Sequence, residues 1–264
     1  MNGDTQTRVS VGGSEQGAPP TVTSSHEYRV FDAHRLLLAS FITPVRYRVD
    51  AKGQAAARPF DHKVVFRRTA FRLARSSPNE QPTIQEVYAK IAQDAVRNDM
   101  IFDDILSTLE AGRSPVVITE RRDHLEQLAG RLSKFAKNVV VLRGGMGARQ
   151  SRAASESLST ILDGEERVIV ATGRYLGEGF DDARLDTLFL TMPISWRGTL
   201  SQYAGRLHRL HPSKRDVVIY DYVDEAEPML VKMAAKRELG YRNLGYRTVH
   251  GLELNLSKSP HHKA

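Results

Sequence analysis

The chain has 264 residues, 41% of them hydrophobic, enough for one well-buried core with appendages, and no apolar run reaches the 18 residues of a membrane span. Lys and Arg number 38 against 31 Asp and Glu, a net charge of +7, which suits phosphate-bearing partners without requiring them. The absence of cysteine excludes disulfides, thiolate zinc sites and thiol catalysis.

Residues 1 to 27 are rich in Gly, Ser, Thr, Gln and Pro and have almost nothing to bury, so this stretch reads as disordered. It lacks the basic-then-apolar pattern of a signal peptide, and a cytoplasmic protein is expected. Residues 28 to 112 read as a connector. Leu36 to Ile42 is a strand or a short helix, and the β-branched and aromatic residues of Val45 to Val49 and Lys63 to Arg67 predict two strands. Thr83 and Glu86 form a capping box before Ile84, Val87, Tyr88, Ile91 and Ala95, which recur at helical spacing. A second helix is expected from Asn98 through Ile101, Ile105 and Leu109, stopping at Gly112.

From residue 113 to 224 the pattern changes to short, continuously apolar strands alternating with helices. The strands are Pro115 to Thr119, Asn138 to Leu142, Arg167 to Thr172, Asp186 to Thr191 and Asp216 to Val223. Strands apolar on both faces predict an α/β fold, a parallel sheet of about five strands covered by helices on each side. Leu125, Leu128, Leu132 and Phe135 mark the stripe of one covering helix, and Leu158, Ile161 and Leu162 another. A C-terminal helix is expected from about Glu225 to Gly240, within a helical extension covering 225 to 247. Residues 248 to 264, with His261 and His262, read as a flexible tail without a metal site.

Two segments carry chemistry. The first is the apolar strand Val168 to Ala171 ending at Thr172, then a loop with Glu178, Gly179 and Asp181. Ligands of open α/β sheets bind at carboxyl ends of strands. Gly177 and Gly179 let backbone approach a phosphate, and Asp181 can accept from a ribose hydroxyl or tie the loop to its neighbours; taken alone, the segment reads sooner as an ordinary strand-to-helix turn with a capping Asp. The second is Gln202-Tyr203-Ala204-Gly205-Arg206-Leu207-His208-Arg209. Arg206 and Arg209, three apart, share one face if the segment is helical, and two guanidinium forks together suit a phosphate.

These segments resemble motifs V and VI of superfamily 2 (DEAD/DEAH-type) helicases of the type III restriction and repair kind, and Val116 to Arg121 resembles motif IV. The likeness covers residues 113 to 224. It implies the C-terminal, RecA-like lobe of an ATP-dependent motor. By that resemblance Arg206 and Arg209 are arginine fingers, Gln202 positions them, and Gly179, Asp181 and Gly205 lie toward the nucleotide. Thr119, Arg121, Gly145, Arg149, Thr172 and Arg174 contact nucleic-acid phosphates, with DNA expected before RNA. Arg152 belongs with Arg149, and both read equally well as surface charge on a helix start. Trp196, beside Arg197, reads as a packing residue.

One departure matters more than these matches. The family binds ATP and Mg²⁺ on a first lobe with a Gly-Lys-Ser/Thr P-loop and an Asp-Glu box, and nowhere in this chain does Lys follow Gly. Asp224-Glu225-Ala226-Glu227 imitates the box but lies after motif VI, where Asp224 is expected to cap the C-terminal helix. ATP and Mg²⁺ are therefore expected only in complex with a P-loop-bearing first lobe, in cis or trans, and no turnover from the chain alone. The other readings are a non-catalytic module that binds nucleic acid or docks on a helicase, and a fragment of a longer gene.

Overall fold

A computed structural model describes residues 59–75, 82–173, 182–194 and 199–249. The expected strand at Val45 to Val49 lies outside them. In chain order the elements are β1 (Asp61–Thr69), α1 (Ile84–Gln93), α2 (Ala95–Glu110), β2 (Pro115–Thr119), α3 (Arg122–Leu132), β3 (Val139–Leu142), α4 (Ala148–Thr160), β4 (Val168–Thr172), β5 (Thr187–Leu190), α5 (Thr199–Leu207), β6 (Asp216–Asp224), α6 (Pro228–Asn243) and β7 (Arg247–Val249). The strands form one sheet in the order β3-β4-β2-β5-β6-β1-β7, and every neighbouring pair is parallel.

Side chains alternate across the sheet and divide the core in two. Val116, Ile118, Ile169, Leu188, Val217 and Ile219 face Leu158 of α4, Leu200, Ala204 and Leu207 of α5, and Tyr241 of α6. Val117, Val168, Val170, Phe189 and Val218 face Ile101, Ile105 and Leu109 of α2 and Leu125, Leu128 and Leu132 of α3. Both faces are thus covered, which is why these strands are apolar throughout. A third cluster, of Phe71, Val87, Ile91, Met192 and Leu230, joins α1 and the start of α6 to the turns after β1 and β5.

Several expectations change once the chain is folded. The sheet has seven strands because β1 pairs along its whole length with β6, from Asp61–Asp216 to Thr69–Asp224, and β7 pairs with β1. The strand read as connector is therefore part of the sheet. Helix α3 ends at Leu132, so Phe135 falls beyond the stripe and is 65% exposed, its ring against Phe102. Leu162 is likewise exposed, whereas Leu158 and Ile161 are buried. Asp224 does not cap α6. That helix starts with Pro228 at its first turn after Glu227, whose carboxylate takes the Leu73 amide and Arg75.

Asp224 is instead buried, accepting from Thr69 Oγ1 at 2.5 Å and Arg97 Nε at 2.8 Å, while Arg97 Nη1 donates to the Thr191 carbonyl at 2.6 Å. A second buried pair, Arg237 to Asp221, is bidentate at 2.7 Å for both contacts, with Tyr241 Oη donating to the same carboxylate at 2.8 Å. Together these tie the strand ends of β1, β5 and β6 to α2 and α6. They fix geometry more than they add stability, because desolvating each ion offsets most of the attraction.

Candidate nucleic-acid interface

In a parallel sheet all carboxyl ends lie on one edge. Here the chain leaves β2 toward β3 and leaves its neighbour β5 toward β6 on the other side, so a topological switch point falls between them. Thr119, Arg121, Gly145, Arg149 and Thr172 all lie at or just beyond strand ends on this edge.

Each is held differently. Thr119 is fully buried, and its hydroxyl accepts from the Arg121 amide and contacts His124 Nδ1 at 3.0 Å. The Arg121 guanidinium is half-buried and paired with Asp123 at 2.7 Å. Thr172 Oγ1 accepts from the Gly144 amide at 3.0 Å and so locks the turn after β3 to the end of β4. In that turn Gly145 has φ +79°, where a side chain is strained. Arg149 and Arg152 stand exposed on the first two turns of α4. Arg174, Gly179 and Asp181, with Gly177, Glu178, Trp196 and Arg197, lie outside the described residues.

Two groups on this edge carried no readable sequence signal. At the end of β4, Gly173 lies against the Tyr203 hydroxyl of α5 and the Glu120 carboxylate that follows β2, and a Cβ there would overlap both. Tyr203 donates to Glu120; burial pushes the Glu120 carboxyl up, and burial with that neighbouring carboxylate pushes the Tyr203 phenol up. Gly173→Ala is therefore expected to cost about 1–3 kcal/mol by overpacking. Urea unfolding checks this, and a variant as stable as the parent would show that the pair moves aside freely.

The other is a chain of polar contacts under Thr119. With Thr119 Oγ1 already accepting from Arg121, its proton goes to His124 Nδ1. His124 Nε2–H then donates to Asn98 Oδ1 at 3.0 Å, and Asn98 Nδ2 donates to the Ala92 carbonyl at 2.9 Å. This order needs a neutral imidazole, and burial holds the His124 pKa down to about 3 from 6.5. Between those values the unfolded chain binds the extra proton. Stability is therefore expected to fall as pH drops through the window, with a slope approaching ~1.4 kcal/mol per unit. Urea titrations from pH 7 to pH 4 should show a flatter dependence in His124→Gln; identical curves would remove the neutral histidine from the account.

Of the two expected arginine fingers, Arg209 lies away from the carboxyl edge. Helix α5 starts beyond β5 and runs back toward the start of β6, so its nine residues descend about 13 Å along the sheet. Gln202 and Gly205 are exposed on it and Arg206 is half-buried near its end. The helix stops at Leu207, so Arg209 is exposed in the turn beyond and not on a shared helical face with Arg206. That turn is clamped. Lys214 Nζ donates to the Leu207 carbonyl at 2.8 Å and the Arg209 carbonyl at 2.7 Å, and His208 Nε2 contacts Tyr246 Oη at 2.9 Å. Burial pushes the Lys214 ammonium down to about 8. Gln202 and Gly205 thus flank Tyr203, whose hydroxyl reaches the carboxyl edge, while Arg209 lies in the turn that leads to the start of β6.

Among solved structures, T4 UvsW superimposes with a TM-score of 0.55 at 19% identity, covering 73% of this chain and 42% of that one. The fold is that of a RecA-like helicase C-terminal domain, a parallel sheet with helices on both faces. Curated relatives include transcript termination protein A18 of fowlpox virus (strain NVSL), 27% identical over 136 residues, covering 51% of this chain and 29% of the relative. The protein of that name from Yaba-like disease virus is 28% identical over 132 residues, covering 49% of this chain and 27% of its own. The chain spans less than a third of the length of these relatives. No protein-family model matches it.

Proposed function

We propose that this chain serves as the C-terminal lobe of a superfamily 2 nucleic-acid helicase or translocase, acting with a first lobe that carries the P-loop and Asp-Glu box. The observation that carries this reading is the Gln202 to Arg209 element, on the helix and turn joining β5 to β6 of a RecA-like sheet. The likeness to proteins named for transcript termination supports a role on nucleic acid. In this reading Arg206 and Arg209, positioned by Gln202, meet the γ-phosphate of an ATP held by the other lobe, where guanidinium donors stabilise charge in phosphoryl transfer. The carboxyl edge meets the nucleic-acid backbone through Arg121, Gly145, Arg149, Thr172 and Arg174. Gly179, Asp181 and Gly205 lie toward the nucleotide.

In this reading ATP and Mg²⁺ bind only with the first lobe, since the chain has no Gly-Lys pair for a P-loop. The same lack favours a second reading, a nucleic-acid-binding module without turnover. Both readings expect single-stranded DNA to bind through phosphates, with log affinity falling linearly against log salt by about 0.7 per phosphate contacted. Fluorescence anisotropy across a salt series tests this. Salt-independent affinity, or a strong preference for one base sequence, would contradict phosphate recognition.

A further inference from the structure

The arginines of the carboxyl edge divide sharply by whether a carboxylate already holds them. Arg68 is held by Glu225, Arg75 by Glu227, Arg121 by Asp123 and Arg122 by Glu126. Two further carboxylates at these strand ends are held elsewhere, Glu120 by Tyr203 and Asp224 by Arg97. Arg72, Arg143, Arg149 and Arg152 have neither an ion pair nor a side-chain hydrogen bond among the described residues.

Three of the four follow β3, in the turn and helix α4. Arg72 stands apart, three residues after β1. Strand β1 is sixth in the sheet counting from β3, so five inter-strand steps of ~4.8 Å put Arg72 about 24 Å along the same edge. Its place is fixed by both neighbours. Phe71 is buried against Val87, Ile91, Met192 and Leu230, and the Leu73 amide donates to Glu227 Oε1 at 2.8 Å. With the residues before and after it anchored, Arg72 projects as an exposed guanidinium from a held backbone. The held backbone leaves only side-chain freedom to lose on meeting a phosphate, and a planar fork loses less of it per hydrogen bond formed than an ammonium does.

We propose that Arg72 is a distal phosphate contact. A single strand then runs the full carboxyl edge, from Arg143, Arg149 and Arg152 to Arg72, beyond the loops that the helicase resemblance marks. This rests on the phosphate-binding reading of that edge under Proposed function. At ~3.4 Å per stacked nucleotide a 24 Å track takes about seven. An octanucleotide reaches both arginine groups, and a tetranucleotide only one, where three arginines outcompete one.

The test is anisotropy of labelled (dT)8 and (dT)4 across a salt series, with the parent chain, Arg72→Ala and Arg149→Ala. Arg72→Ala should weaken (dT)8 and make its log-log salt slope shallower by about 0.7, the loss of one contact, and leave (dT)4 unchanged. Arg149→Ala should weaken both. If Arg149→Ala acts as expected and Arg72→Ala leaves (dT)8 unchanged, the distal contact is wrong and the edge reading survives. Equal losses on both oligonucleotides in Arg72→Ala would overturn the track geometry. If neither variant changes either oligonucleotide, the edge reading fails and the distal contact with it.

Discussion

Leu128→Ala will lower the unfolding free energy by about 2–5 kcal/mol, and Arg209→Ala by about 0.5 kcal/mol or less. Leu128 is 0% exposed, in the cluster that joins α3 to Val117, Val168 and Val170 on one face of the sheet. Packing there is dense on every side, so removing three carbons leaves a cavity that neighbours only partly fill. Arg209 is exposed, and its carbonyl, which accepts from Lys214, survives truncation to Ala. Urea and thermal unfolding of both variants beside the parent measure the contrast. If Arg209→Ala destabilises as severely as Leu128→Ala, the turn after α5 is serving the core, and the arginine-finger assignment fails for this chain.

The strands of the central sheet were legible because burial on both faces leaves an unbroken apolar run, as in Val116 to Thr119 and Val168 to Thr172. Helix α1 was legible for a different reason, since Thr83 and Glu86 satisfy each other's orphan backbone groups, and that box is present. What escaped depends on long-range pairing. Strand β1 enters beside β6, 155 residues later in sequence at the Thr69–Asp224 contact, and no local pattern announces such a partner. Asp224 looked like a cap because acidic residues suit helix starts, but Arg97, far upstream, claims its carboxylate. The His124 chain and the Gly173, Tyr203 and Glu120 contact were invisible for the same reason, their members coming from separate elements. That Arg209 falls in the turn beyond α5, off the helical face of Arg206, follows only from where the helix stops.

The second large effect is on the proposed reaction. Combined with a first lobe that supplies the P-loop and Asp-Glu box, the parent chain should support ATP hydrolysis, and Arg209→Ala should reduce it by about 10³–10⁵-fold, the range for an arginine finger. The variant's fold should be unaffected, so the loss belongs to the reaction and not to stability. Arg149→Ala should leave hydrolysis without nucleic acid unchanged, because α4 follows β3, three strand positions from β5, after which α5 starts. The most direct measurement is the steady-state ATP hydrolysis rate of the purified chain, alone and with that first lobe. The account predicts no turnover above background alone, and turnover with the first lobe that is lost in Arg209→Ala. Steady hydrolysis by the repurified chain alone, abolished by Arg209→Ala, would contradict it.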